Sequence, residues 1–483
     1  MKEGSFRNTL VALIIAGVLV LVITSFQNGI ADPDTWWHLA TGKHIITTGS
    51  IPHQDIFSWT TAGQPWITHE WLAEVLFYLG YTAGRFWGVL SLVLLLTALL
   101  LVFYWKLLSL ENISYPVAAL SLLAVGEMLY PFIEIRPQVL SYLLFVVFLH
   151  ILNLFPRRKD YLLVLPFLSA LWANSHGSFL LGPFLVALFI FCGWPRIKGE
   201  KIAIHLLDSG QRKKLVLVFI LCLTAIAFNP NGLKLFLYPL GTVGDNQMVD
   251  NIQEWLSPNF HNPYNQLFLV YYLGTFLILV LTTRKLQLFD LLLFLSFGTA
   301  AFIHGRFIAY ALLVNGLLWA RYLQPLPSSK PPLARVKVAL IPLLLILYGV
   351  ILAFKAPPQT AIDYRFTAKE EFPVEALAYL KEHPLKGRML NYYGWGGYLI
   401  WNRPEEKVFI DGRADVYIKK VFRDYRQITR LKPEAAALLK SYRIDYVMMP
   451  ADAPLVQALK LSPRWSLFYE DETAAILVKK EPL

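Results

Sequence analysis

Charge is what this 483-residue chain has least of: Asp, Glu, Lys and Arg make up 16% of it, against 56% apolar residues, and the mean hydropathy is +0.48. A soluble protein of this length needs far more polar surface. Here the apolar residues gather in blocks of about 17–25, the length that crosses a bilayer. Cysteine is almost missing. Cys192 and Cys222 both fall inside apolar blocks, which argues against a disulfide framework and against a thiolate metal site. Several catalytic motifs are missing too. No GxxxxGK[ST] phosphate loop and no GxSxG nucleophile elbow occurs, and "THEWLAE" has a His–Glu pair without the second His of a zinc helix. Low-complexity tracts and evident internal repeats are also lacking.

What is present reads as a polytopic α-helical membrane protein. Apolar blocks lie near residues 9–27, 86–108, 115–132, 138–155, 161–174, 178–194, 215–228, 265–283, 287–303, 307–323 and 338–354, which makes about eleven spans. The first has basic flanks like a signal peptide, but its apolar run is too long and lacks a small-residue cleavage site, so it reads as a retained anchor. The net charge of +11 comes from basic residues in short loops, which are orientation signals rather than a nucleic-acid surface. With Lys2 and Arg7 inside, the inner side also receives Lys106, Arg157 to Lys159, Arg196 to Lys214, Arg284–Lys285 and Arg335 with Lys337. The alternation holds throughout and makes the chain N-in/C-out, with residues 1–354 as the transmembrane module and a first outer loop at about 28–85. Residues 355–483 change character. After the linker "KAPPQTAIDY" they read as a small extracytoplasmic α/β domain, with strands at "KVFIDGR", "IDYVMMP" and "AAILVKK" and helices at "PVEALAYLKEH" and "KPEAAALLKSY".

On this topology the unusual polar residues fall on the outer face. They are "DPDTWWHL", "PWITHEWLAE" (His69, Glu70, Glu74), "YPFIEIRPQ" (Glu134, Arg136), "WANSHGS" (Asn174, His176), "FNPNGLK", "NIQEWLSPN" (Glu254) and "HGRFIAY" (His304, Arg306). The inner loops offer basic residues and little else. Each outer motif has an ordinary explanation, since Trp and Tyr anchor at interfaces and Asn–Pro or His–Gly pairs make turns. Their joint placement points to a catalytic cleft at the outer membrane surface. A carboxylate facing an arginine there suits transfer from a lipid-linked phosphate. Guanidinium grips phosphate oxygens in a bidentate way, and a carboxylate deprotonates or orients a nucleophile or holds a divalent metal.

Together these motifs resemble those of membrane glycosyltransferases of the C-type fold, which use polyprenyl-phosphate-linked sugars. More specifically they are similar to a distant relative of the catalytic subunits of oligosaccharyltransferases. In "DTWWHLATGKHIITTGSIPHQD" the resemblance gives Asp34 the place of the catalytic and metal-binding acid, with Asp32 as the alternative. In "NIQEWLSPN" it gives Glu254 the glutamate that organises metal and acceptor, and in "HGRFIAYALL" it gives Arg306 the contact to the donor phosphate. "NYYGWGGYLIWNRPEEKVFIDGRADVY" looks like the tryptophan-rich acceptor motif, with Tyr392, Tyr393, Trp395 and Gly396 in place. Two departures stand out. Gly394 replaces the aspartate that recognises an acceptor hydroxyl, and "EIR" supplies Glu134 and Arg136 where the family carries two spaced acids. The resemblance thus implies fold and donor class rather than asparagine-sequon selection.

The expected site follows. Asp34, Asp32 and Glu254 are the catalytic candidates; Arg306, Arg136 and His304 are the donor-phosphate candidates. Tyr392, Tyr393, Trp395, His69, Glu70 and His176 are the acceptor candidates, and Asp34, Glu254 and Glu134 would hold a divalent ion, Mg or Mn. Other readings stand beside these: Asp34 as a helix-capping acid, the arginines as snorkelling side chains, and His69–Glu70 as the start of an amphipathic helix. Asp411, Arg413 and Asp415 read as a salt-bridged strand end supporting the loop "YYGWGG". The expected activity is transfer of a sugar or glycan from a polyprenyl-phosphate carrier to a protein, lipid or polysaccharide at the outer face of the cytoplasmic membrane. The rivals are a lipid-linked-sugar transporter, which needs polar residues at mid-membrane depth and access from both sides, and a glycan-binding membrane protein without catalysis.

Overall fold

Apolar sequence between residues 2 and 323 folds as helix. In chain order these are α1 (Lys2–Ser25), α2 (Asp34–Thr48), α3 (Trp71–Leu108), α4 (Tyr115–Leu129), α5 (Gln138–Leu154), α6 (Val164–Ala173), α7 (Leu181–Cys192), α8 (Ser209–Ile226), α9 (Pro263–Leu281), α10 (Leu288–Ile303) and α11 (Ile308–Tyr322) in a computed structural model. It describes residues 2–27, 29–110, 113–155, 159–194, 200–204, 206–239, 252–323, 367, 371–417 and 420–480. The expected last span at 338–354, the basic residues Arg157, Arg196, Arg335 and Lys337, and the linker 355–364 lie outside the described residues. Among the helices, Arg7–Ser25, Trp71–Leu108, Tyr115–Phe132 and Pro263–Leu281 are long and apolar enough to cross a membrane; four shorter apolar helices accompany them. Local chemistry sets several boundaries. α8 begins in a capping box between Asp208 and Gln211, α9 begins at Asn262–Pro263 with the Asn side chain accepting from the Tyr264 N–H, and α2 ends at Gly49 in the left-handed conformation. α3 breaks at Gly84–Arg85, where Arg85 has φ of 54°.

The chain divides into two compact units, one drawn from residues 1–27, 90–240 and 249–357, the other from 28–89, 241–248 and 358–483. In the first unit α11 is buried almost along its length and packs on α4, α9 and α10. Gly316 on α11 permits close approach of α4: the Ser121 hydroxyl donates to the Gly316 carbonyl at 2.6 Å, and a Cβ at Gly316 would overlap Val125. The far ends of α10 and α11 hold a buried ion pair between Asp290 and Arg321, with the Tyr322 hydroxyl donating to Asp290 at 2.7 Å. Asp290 compensates a buried arginine whose charge needs a partner.

In the second unit a four-stranded mixed sheet runs β1 (Met389–Asn391), β2 (Tyr446–Pro450), β4 (Ala474–Lys479) and β3 (Trp465–Glu470), in that spatial order. β1 and β2 are parallel and the remaining pairs antiparallel. Two of the expected strands and both expected helices are present, the helices as Val374–Glu382 and Ala435–Ser441. The expected strand "KVFIDGR" is not one. Its backbone is satisfied by a side chain instead: the buried Asn391 carbonyl oxygen accepts from Phe409 N at 2.8 Å and its amide donates to the Ile410 carbonyl at 2.8 Å. "YYGWGG" is likewise no loop; Tyr393–Trp395 forms a 3-10 turn that runs into a helix, Gly396–Asn402. The segment of residues 57–60 joins this core. Trp59 N donates to the Val408 carbonyl at 3.0 Å, and Thr60 Oγ1 to the Phe409 carbonyl at 2.6 Å.

Candidate functional site

In the first unit three turns bring the expected charged residues together. Glu254 lies on the 3-10 turn Gln253–Trp255, Arg306 on the 3-10 turn Gly305–Phe307 between α10 and α11, and Arg136 just before α5. The two 3-10 turns are tied through their backbone. Gly305 N donates to the Leu256 carbonyl at 2.9 Å, and His304 Nδ1 donates to the Trp255 carbonyl at 2.6 Å. His304 therefore fixes the turn that presents Arg306. Arg136 Nη1 donates to Glu254 Oε2 at 3.3 Å and Arg136 Nε lies 3.8 Å from Glu134 Oε2. Arg306 is held differently. Its guanidinium lies 4.4 Å over the Trp255 ring and 3.8 Å from Glu254 Oε1, too far for a hydrogen bond. Among the described residues none accepts a hydrogen bond from Arg306. Burial by itself would raise the Glu254 carboxyl, but Arg306 and then Arg136 outweigh it and hold it below its ordinary value. It is an anion across the neutral range.

His176 sits in the turn between α6 and α7 at the edge of a hydroxyl network. Its Nδ1 pairs with Ser178 Oγ at 2.8 Å, and Ser178 meets Ser141 Oγ at 3.1 Å and the Tyr310 hydroxyl at 3.0 Å. It is buried.

In the second unit the start of α2 answers the question of which acid caps the helix. Asp32 does: its carboxylate accepts from Asp34 N at 3.2 Å and from Thr35 Oγ1 at 3.1 Å. Asp34 opens the first turn, and its Oδ1 accepts the Trp37 indole N–H at 3.0 Å. The Trp37 ring stacks on His38 at 3.6 Å between centroids. His38 in turn lies between two acids, with Nδ1 3.2 Å from Glu74 Oε1 and Nε2 3.8 Å from Glu70 Oε2. His69 Nε2 lies 3.7 Å from the other Glu70 oxygen. The tryptophans are not interfacial anchors here. Trp36 is buried edge-on among Phe86, Phe372 and Tyr398, because the aromatic residues of the first outer loop pack with the C-terminal segment.

The acceptor candidates separate by exposure. Tyr392 is 40% exposed, whereas Trp395 is 2% exposed and spends its indole N–H on the Glu371 carbonyl at 2.8 Å. Tyr393 is half-buried; its backbone N–H donates to the Tyr425 hydroxyl at 2.8 Å and its own hydroxyl to the Gly412 carbonyl at 3.4 Å. Gly397 packs against Pro33 and Trp37 and lets this motif lie on the start of α2, while Gly396 packs against Ile410 and Asp411. Below it Arg413 is fully buried. Arg413 Nη2 donates to Asp411 Oδ2 at 2.6 Å and lies 2.8 Å from Asp55 Oδ1, with aromatic rings on its faces. Burial would raise Asp55, but Arg413, then Ser58 and Thr61, hold it below its ordinary value. Asp415 moves the other way, raised by burial in spite of His69 and Arg413.

Among the described residues no three His, Cys, Asp or Glu side chains form a group able to hold a metal ion. Glu254 and Glu134 are engaged by Arg136 instead. Two of the three expected ligands are thus engaged by a cation, and no step below runs through a divalent ion. Sequence reasoning missed the Asp55–Arg413 pair, the His38–Glu74 pair and Gly412. A buried ion pair between positions far apart in the chain leaves no local pattern.

No protein-family model matches the sequence, and no curated protein matches it. Solved structures share its fold. The oligosaccharyltransferase of Archaeoglobus fulgidus in its apo form aligns with a TM-score of 0.59 over 92% of this chain and 70% of its own, at 10% identity. Oligosaccharyltransferase AglB from Archaeoglobus fulgidus, in complex with an inhibitory peptide and a dolichol-phosphate, gives 0.58 over 99% and 75% at 11% identity. ArnT from Cupriavidus metallidurans, bound to undecaprenyl phosphate, gives 0.57 over 97% and 98% at 11% identity. This chain has the C-type membrane glycosyltransferase fold that its motifs resemble.

Proposed function

We propose that this protein is a glycosyltransferase of the cytoplasmic membrane. It moves a sugar or glycan from a polyprenyl-phosphate carrier to a protein, lipid or polysaccharide at the outer face, with about eleven spans and an N-in/C-out topology. The observation that carries the reading is Arg306. A guanidinium seated over Trp255, with no hydrogen bond to any described residue, keeps its planar donors for phosphate oxygens. Arg136 is less suited, because it already donates to Glu254. The neighbouring fold mates include proteins captured with dolichol-phosphate and undecaprenyl phosphate, which supports the donor class.

In this reading Asp34 takes the proton from the acceptor nucleophile. The nucleophile bonds to the anomeric carbon as the carbon–oxygen bond to the phosphate breaks, and the phosphate leaves with the bonding pair. Glu254 fixes the two arginines rather than acting as a base, since a carboxyl held down by two cations accepts a proton poorly. Tyr392, as the exposed member of its motif, contacts the acceptor. Cells lacking the protein should accumulate lipid-linked sugar and lose a surface glycan, both read by mass spectrometry. Unchanged donor pools and glycans would favour the glycan-binding reading instead.

A further inference from the structure

We propose that Gly412 is a positioning residue for Asp34, and that its missing side chain is what lets the Asp411–Arg413 turn set the reactive carboxylate. A Cβ placed on Gly412 would overlap Asp34 Oδ1 and come within 3.0 Å of Trp37 Nε1. Those two atoms are the partners of the 3.0 Å hydrogen bond that orients Asp34, so the glycine backbone closes over that bond directly. Conformation does not demand glycine there, because Gly412 is not among the positive-φ glycines. The requirement is space.

The turn that carries Gly412 is stiff. Arg413 donates to Asp411 Oδ1 from its backbone N at 2.9 Å and from Nε at 2.8 Å, and its other end is pinned by the buried Asp55 at 2.8 Å. Gly412 cannot retreat without breaking a buried ion network. Its carbonyl also accepts the Tyr393 hydroxyl at 3.4 Å, so the tyrosine beside the exposed Tyr392 bears on the same peptide that bears on Asp34. The acceptor motif and the catalytic carboxylate thereby share one rigid contact, and a displacement of about 1 Å in a reacting group lowers turnover about 10²-fold. This inference rests on Asp34 being the reactive carboxylate.

The test uses purified full-length Gly412→Ala, Trp37→Phe, Asp34→Asn and Asp34→Ala, with lipid-linked sugars extracted from cells lacking the protein as the donor. Gly412→Ala should lower turnover per folded molecule about 10²-fold and leave half-saturation by the extract within about twofold. Trp37→Phe, which removes the hydrogen bond without adding an atom, should lose about tenfold. Thermal unfolding supplies a second readout: the destabilisation by Gly412→Ala should shrink in the Asp34→Ala background, where the colliding oxygen is gone. If Gly412→Ala alone does not fold, Gly412→Ala in the Asp34→Ala background must. Turnover of Gly412→Ala within about twofold of the parent, equal destabilisation in both backgrounds, or a double variant that does not fold would overturn the proposal. Full transfer by Asp34→Asn would instead remove the functional reading, while the unfolding cycle would still report on the Gly412–Asp34 contact.

Discussion

Glu254 and Asp34, the two acids given central parts, are held by opposite means. Glu254 lies between two guanidinium groups, 3.3 Å from Arg136 and 3.8 Å from Arg306, and their charge holds its carboxyl below its ordinary value. Asp34 takes a neutral indole N–H and stands against the backbone of a glycine. Glu254 is held by charge, whereas at Asp34 a close steric contact with Gly412 is added to its hydrogen bond. The difference assigns them different work: an acid neutralised by two cations organises those cations, whereas an acid seated by shape presents its oxygens in a set direction. It also sets how each fails, because charge tolerates small displacements that a close steric contact does not.

The largest expected effect lies beneath the shape-held acid. Asp55→Asn leaves the buried Arg413 short of a partner, and breaking a buried pair in this way costs about 3–5 kcal/mol; thermal unfolding in detergent reads it. The pH dependence has a definite sign. Asp55 is held below the ordinary carboxylate value of 3.8, so its contribution is present above that value and is lost as pH falls through the lower folded value. The variant should lose that part of the acid sensitivity. A variant as stable as the parent would mean the turn is not pinned.

At the charge-held site, Arg306→Ala should lower transfer by about 10²- to 10³-fold, as removal of a donor to developing charge does. Lysine should restore only part of it, since an ammonium cannot match the planar fork. Equal activity in Arg306→Lys and the parent would show that a point charge suffices. Glu254→Gln should be milder, about tenfold, roughly 1.4 kcal/mol, appearing mainly in donor half-saturation as Arg136 and Arg306 lose their common anion. A collapse of turnover with donor affinity intact would move Glu254 into the chemistry and erase the contrast with Asp34.

The same contrast explains what could be read in the sequence. Runs of apolar residues announce helices because a bilayer or a core demands them, and the motif around Arg306 was legible because an arginine beside an apolar block is costly without a reason. Glu254 and Arg136 were visible for that reason also. Shape-held features were not. Nothing in "DGR" says that Gly412 abuts Asp34, and Asp32 and Asp34 differ by only two positions although one caps the helix and the other receives Trp37. "KVFIDGR" has the alternation of a strand, but a buried asparagine and the backbone of residues 57–59 share the hydrogen bonds that a full neighbouring strand would have given. "GWGG" looked like a binding loop, yet its glycines serve close packing and its tryptophan is buried.

The most direct test is Asp34→Asn in the purified full-length protein, with polyprenyl-phosphate binding and sugar transfer measured on the same preparation. Amide for carboxylate keeps the oxygen that accepts the Trp37 N–H and removes the ability to take a proton. Binding should stay within about twofold while turnover falls by about 10²- to 10⁴-fold. Full transfer by Asp34→Asn would contradict the assignment of this carboxylate as the base.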